Sequence, residues 1–398
     1  MGTADAVRRG AGRNLALATA AFALTFWAWN LIGPLSKTYA DDLSLNPTQT
    51  SVLVAFPVLV GAIGRIPAGI LTDRFGGRAM LTAACFVSIV PVLLVGLSGG
   101  SYPALLASGF LLGLAGTSFA VGIPFVNAWY PPARRGFATG VFGAGMGGTA
   151  LSAFLTPRLV DGMGLLPTHL LMCAALAVMG FVCWTFARNA PQWAPTTEPA
   201  LPRLKGVMRL KVTWQMSLLY AVAFGGFVAF STYLPTMLVT AYDLAQTEAG
   251  LRTAGFSLAA VVARPAGGIL SDRVGPLKIC LTSFFGAAIM AVLLSFEPPL
   301  EVPAGTCFVL MALFLGLGTG GVFALVAEKV EPARVGGVTG IVGAAGGLGG
   351  YFPPLVMGAV YQARGDYSVA LLLLALTALL VGVFALRSFR RPKDAVPA

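Results

Sequence analysis

Apolar residues along this chain fall into twelve long blocks, each closed by a short polar stretch rich in glycine, proline or charge. The blocks cover approximately residues 14–36, 50–72, 79–98, 103–127, 137–160, 167–187, 213–238, 249–271, 277–296, 304–327, 336–360 and 368–387. About 20 apolar residues suffice for a helix to cross hydrocarbon, so each block predicts one membrane-spanning helix. The longest polar interval runs from Arg188 to Lys211, with Pro191, Pro195, Pro199 and Pro202 followed by Arg203, Lys205, Arg209 and Lys211. It divides the chain into residues 1–187, with six spans, a linker over 188–212, and residues 213–398, with six more.

The two parts repeat one another. GRIPAGILTDRFGG, from Gly64 to Gly77, is answered by ARPAGGILSDRVGP, from Ala263 to Pro276, which places Arg65 on Arg264 and Asp73 on Asp272 at an offset of 199. In a different pair of helices Gly136, Gly140, Gly143 and Gly147 meet Gly336, Gly340, Gly343 and Gly347 at an offset of 200. Pro34 and Pro235 align at 201 and are candidate points of helix bending. The expected fold is therefore all-α and integral to the membrane, with two pseudo-symmetric six-helix bundles. Each bundle holds one arginine inside an apolar run. A cation there costs at least ~2.5 kcal/mol on insertion scales and generally lines a pathway. Two at repeat-related positions point to one shared site for an anion.

Composition agrees and removes other classes. Hydrophobic residues make up 57% of the 398, charged ones 10%, and mean hydropathy is +0.83, far from the roughly 25% charged residues of a soluble domain. The pI of about 9.8 does not indicate nucleic acid, because the basic residues sit in short clusters at helix ends. Of the 26 Lys and Arg, only Lys37, Arg158, Arg252 and Arg364 fall on one side of the membrane, while 20 fall on the side of the termini. The positive-inside rule then predicts both termini in the cytoplasm and a cell (inner) membrane location. The first apolar run is longer than a signal-peptide core, and it is expected to be retained as a span.

Chemistry-bearing residues are few. Cys85, Cys173, Cys183, Cys280 and Cys307 all lie in predicted helices with no CxxC spacing and are expected as small packing residues. His169 is the single histidine, so no zinc or haem site is expected, nor any other cofactor. There is no Gly-x-Ser-x-Gly and no pair of carboxylates placed for acid and base work, so the chain is not expected to be an enzyme. All fifteen acidic residues fall in tails, loops or helix ends, leaving the two arginines without a mid-membrane counter-ion.

Gly69-Ile-Leu-Thr-Asp73-Arg74-Phe-Gly76-Gly77-Arg78 resembles the signature loop between the second and third helices of the major facilitator superfamily, and Gly268-Ile-Leu-Ser-Asp272-Arg273-Val-Gly275 resembles its counterpart after the eighth. Gly69, Asp73, Arg74, Gly268, Asp272 and Arg273 are by that resemblance conformational elements whose charges are remade as the halves rock. A narrower resemblance lies in GVFGAGMGGTALSAFLTP, from Gly140, and GIVGAAGGLGGYFPP, from Gly340. These are similar to the paired signatures of the nitrate/nitrite porter family within that superfamily. Glycines at such spacing let helix backbones approach closely. The first helix, Phe22 to Ala40, fits the same family.

The resemblance implies that Arg65 and Arg264 hold the anion. It implies further that Tyr220, in the segment Trp214 to Phe227, donates to it, and that Phe224 and Phe119 enclose its flat faces. Gly145, Met146, Gly343 and Gly346, from the glycine-rich helices, complete the implied site. Met146 stands where the family usually carries an asparagine, so an amide donor is missing and the choice of anion is open. The expected activity is secondary transport of nitrate and nitrite by exchange. Two uncompensated cations resist closure of an empty carrier, whereas an anion-loaded one can switch. The alternatives are nitrate/proton symport, carriage of cyanate or a carboxylate on the same fold, or a sensor that binds nitrate without moving it. A monomer is expected, with the lipid bilayer and a small inorganic anion as its partners.

Overall fold

The computed structural model describes residues 3–389 apart from 99, 132–133, 197–199 and 332–333. Twelve helical segments are long and apolar enough to cross a membrane: Gly10–Leu43, Pro47–Phe75, Gly77–Leu97, Tyr102–Trp129, Phe137–Met163, Leu165–Phe186, Lys211–Tyr242, Gln246–Val274, Pro276–Leu294, Leu300–Lys329, Val335–Arg364 and Ser368–Phe389. No strand occurs among the described residues. Most of these helices outrun the apolar blocks, because an amphipathic end continues as helix beyond hydrocarbon. Ser36–Leu43, carrying Lys37, Asp41 and Asp42, is such an end.

Several helices are broken near their middles, and sequence hydropathy carries no sign of it. The second bends at Gly64, immediately before Arg65. The fourth tightens to a 3-10 turn at Gly113–Thr117, and the fifth does so at Ala144–Gly147. The counterparts of the second and fourth, Gln246–Val274 and Gly305–Lys329, run unbroken, whereas the eleventh, counterpart of the fifth, is interrupted between Gly349 and Phe352. The aligned prolines also part company: Pro34 lies in a short 3-10 turn where the first span is interrupted, whereas Pro235 sits inside the continuous helix Lys211–Tyr242.

The first six spans meet the last six along two seams, the fifth span against the eighth and the second against the eleventh. At the end of the bundle opposite the termini the first and second spans are also tied to the seventh and eighth. Ser36 and Thr236 hydroxyls share a 2.7 Å hydrogen bond, Ser51 Oγ donates to Tyr233 Oη at 3.1 Å, and Thr38 donates to Gln246 Oε1 from both its amide and its hydroxyl. Gly33 and Gly358 allow the closest approaches: a Cβ on Gly33 would strike the Thr232 carbonyl, and one on Gly358 would strike Ser51. Gly33→Val should therefore hold this end open. In a background free of the native cysteines, Ser51→Cys should react with an aqueous thiol reagent once Gly33→Val is added and stay protected without it. Equal labelling of the two proteins would remove Gly33 from the seal.

All five cysteines are free and helical, as expected of packing residues. At the other end of the bundle Gly76 and Gly275 have φ of +86° and +94°, which only glycine adopts without strain, and each lets one helix turn sharply into the next.

Candidate functional site

Arg65 and Arg264 are both buried, 3% and 7% exposed, in the middle of the bundle. Their side chains converge on one aromatic ring. The Arg65 guanidinium carbon lies 4.9 Å from the centroid of Phe119 and 5.1 Å from that of Phe224, and the Arg264 guanidinium carbon lies 5.6 Å from Phe119 and 5.7 Å from Phe323. The electron-rich ring faces offset part of the desolvation of each cation. Phe119 and Phe224 face each other at 6.0 Å between centroids and 25° between planes, and Tyr220 stacks on Phe224 at 5.1 Å and 4°. Enclosing a flat anion between two rings takes about 7 Å, twice a van der Waals separation of roughly 3.5 Å. Phe119 and Phe224 must therefore part by about 1 Å to admit one.

Polar contacts to the arginines are few and neutral. Arg65 Nη1 donates to the Gly343 carbonyl at 2.7 Å, and its Nε is buried without a partner. Arg264 Nη1 donates to the Met146 thioether, and Nη2 to Tyr220 Oη at 3.4 Å. Neither guanidinium forms an ion pair with a described carboxylate. Each guanidinium has five donors, so most of this capacity faces weak acceptors or none. An oxyanion that accepts two hydrogen bonds from a guanidinium fork would satisfy it far better.

Glycine makes this arrangement possible on the eleventh span. The Gly343 carbonyl is reachable because Gly347, one turn on, has no side chain; a Cβ there would lie 2.7 Å from Ala62 and 3.3 Å from Arg65 Nη1. Gly346 gives its space to Tyr220, whose Cε1 would stand 2.6 Å from an added Cβ. On the fifth span the same device works backwards. Gly145 and Gly148 receive Phe22 and the Ala23 carbonyl of the first span, and this packing aims Met146, between them in the 3-10 turn, at Arg264.

Of the residues read from the sequence, the structure gathers Arg65, Arg264, Tyr220, Phe119, Phe224, Met146, Gly343 and Gly346 around one centre. Gly145 lies one residue off and faces the first span. The motif residues sit apart, with Asp73, Arg74, Asp272 and Arg273 in the last turns of their helices and Gly69 and Gly268 further inside. The Asp73 carbonyl accepts from the Thr196 amide at 3.0 Å, Arg74 is exposed beside Phe75, and Asp272 lines a surface pocket with Ser271, Gly275 and Glu328. Gly69 and Gly268 face open space.

Two contributors were missed, Phe323 and Gly347. The repeat holds a signal for the first: Gly113-Leu-Ala-Gly-Thr-Ser-Phe119 in the fourth span is echoed by Gly316-Leu-Gly-Thr-Gly-Gly-Val-Phe323 in the tenth, one residue longer. The slip hides the match at a constant offset.

The chain matches the model of the Major Facilitator Superfamily over residues 18–246 and 216–398. It is 57% identical to the "Probable nitrate/nitrite transporter NarK2" of Mycobacterium tuberculosis (strain ATCC 25618 / H37Rv), covering 96% of this chain and 98% of the relative. It is 35% identical to the "Nitrite extrusion protein" of Bacillus subtilis (strain 168), over 92% and 91%, and 37% identical to the "Probable nitrate/nitrite antiporter NarK1" of Thermus thermophilus, over 86% and 84%. Among solved structures, the human organic anion transporter MFSD10 superposes with a TM-score of 0.73 at 17% identity, covering 94% of this chain and 99% of that one. An inward-facing bacterial homologue of the lysosomal transporter Spinster superposes with a TM-score of 0.72, also at 17% identity, over 94% and 95%. At that identity the likeness speaks for the fold alone. The chain is thus a multi-pass membrane protein that belongs to the major facilitator superfamily and, within it, to the family of these nitrate/nitrite transporters.

Proposed function

We propose that this protein carries nitrate and nitrite across the cell membrane by exchange, with Arg65 and Arg264 as the anion's ligands. The observation that carries this reading is the pair of buried guanidiniums that flank one ring and have only neutral partners. The relatives' names give the anion; the geometry gives the reason for exchange. Two cations sealed in a low-dielectric interior repel strongly, so reorientation of the empty carrier is slow and reorientation of the loaded one is fast. Tyr220 is positioned to donate to the anion, and Phe119 and Phe224 to cover its faces. In this reading residues 1–187 and 213–398 rock as two bundles about the arginines, joined by the linker over 188–212. The charged motifs at Asp73–Arg74 and Asp272–Arg273 act as conformational contacts at the cytoplasmic end, where the 20 basic residues gather. The seal at Ser36, Ser51, Thr236 and Tyr233 then closes the outer end, and the carrier functions as a monomer, without a cofactor.

The test is uptake of labelled nitrate into proteoliposomes loaded with nitrite, nitrate or no anion, with and without a proton gradient. Uptake should require internal nitrate or nitrite and ignore the gradient. Gradient-driven uptake into empty vesicles would replace exchange with proton symport. A second reading, another small anion as the preferred cargo, is favoured by one observation, the Met146 thioether at the point where it meets Arg264. Competition by cyanate or a small carboxylate at concentrations where nitrite does not compete would select it.

A further inference from the structure

The basic linker is not absorbed by anion transport. Its helix, Ala200–Met208, is fastened to the last six spans rather than left hanging. Val207 packs on the eleventh span at Gly337, where an added Cβ would stand 2.8 Å from it; Thr213 Oγ1 donates to the Val207 carbonyl at 2.8 Å, and Trp214 Nε1 to the Met208 carbonyl at 2.8 Å. Around this junction Lys205, Arg209 and Lys211 are exposed, and none forms an ion pair with a described residue. Directly beside them Trp214 is 54% exposed, and one turn further into the seventh span Leu218 is 43% exposed on the same face.

That order matches the layers of a leaflet. Leucine lies at hydrocarbon depth, the amphipathic indole at the interface, and three cations lie where headgroups begin. We propose that the linker helix and the first turn of the seventh span form a docking site for an anionic phospholipid, with Lys205, Arg209 and Lys211 on its phosphate and Trp214 and Leu218 along its acyl chain. Clustered basic residues immediately beyond a membrane helix attract anionic lipid. A soluble anion would use the charges but not the indole and leucine that continue from them. The site also reaches the transport centre. Gly337, under Val207, lies six residues before Gly343 in one helix, and the Gly343 carbonyl holds Arg65. A lipid seated on the linker braces the eleventh span at its end.

Native mass spectrometry of the purified protein, titrated with phosphatidylglycerol or phosphatidylcholine, tests this without reference to cargo. The parent should retain phosphatidylglycerol at least about tenfold more tightly than phosphatidylcholine. Lys205→Ser/Arg209→Ser/Lys211→Ser should lose that preference, while Arg387→Ser, which removes an exposed charge at the end of the twelfth span, should keep it. The three single substitutions should lower the preference in steps and provide the same test if the triple variant is unstable. Equal retention of the two lipids by the parent would overturn the proposal, as would an unchanged preference in the triple variant or an equal loss in Arg387→Ser.

Discussion

Arg65→Lys should yield a folded protein whose nitrate uptake is reduced at least about 30-fold. The charge is kept, so the loss isolates what only a guanidinium does. Arg65 spans three neighbours at once: its Nη1 reaches the Gly343 carbonyl at 2.7 Å while its guanidinium carbon lies about 5 Å from the centroids of both Phe119 and Phe224. A lysine ammonium is a compact, strongly hydrated point charge with no planar fork. It can serve the carbonyl or the anion but has no flat cationic face to hold against the rings while doing so. Disrupting one partner of a buried, hydrogen-bonded charge pair costs about 2–5 kcal/mol, and each ~1.4 kcal/mol is a factor of ten, so the loss should span roughly one and a half to three and a half decades. Circular dichroism and thermal melting should stay close to the parent, because Arg65 is not holding a carboxylate in place. Uptake within about threefold of the parent would show that positive charge alone suffices at this position and would remove the fork from the mechanism.

The features legible in the sequence are those with a long physical wavelength. Twelve spans follow from hydrocarbon thickness, and the two arginines are visible because a cation in an apolar block is rare and the repeat places the pair in register. The broken middles are invisible to that reasoning. Gly113–Thr117 and Ala144–Gly147 tighten locally because the glycines there let neighbouring helices approach, which depends on the partner and not on hydropathy. Gly347 counted only as one member of a repeated glycine series, yet it is the residue that bares the Gly343 carbonyl to Arg65. Phe323 escaped through a single inserted residue. The spacing of glycines shows that helices pack closely, but which glycine faces the site is decided by neighbours far away in sequence.

That distinction can be measured on one helix. Gly340→Val and Gly346→Val change the same helix by the same atoms, yet only the second should abolish transport. Gly340 is exposed, and a Cβ there meets nothing within 4 Å. Its replacement should leave uptake within about threefold of the parent, and the change from glycine to a stiffer residue should be neutral or mildly favourable to the helix. At Gly346 an added Cβ would stand 2.6 Å from Tyr220 Cε1 and 3.1 Å from Phe224 Cδ1, and valine adds two methyl groups beyond it. Tyr220 is fully buried between Phe224 and Phe323, so it can yield only by swinging away from Arg264 and taking Phe224 out of its place opposite Phe119. Overpacking of this kind costs about 1–3 kcal/mol of stability, small enough for a folded protein to persist. The loss falls on the proposed site instead: the donor and one of the two aromatic walls proposed for the anion are displaced together, and uptake should drop at least about 100-fold on the ~1.4 kcal/mol per decade scale. Nitrate binding to the purified variant, read by calorimetry, should fall in parallel. Equal uptake by the two variants would mean that Tyr220 and Phe224 are structural neighbours of the arginines rather than parts of the anion's site.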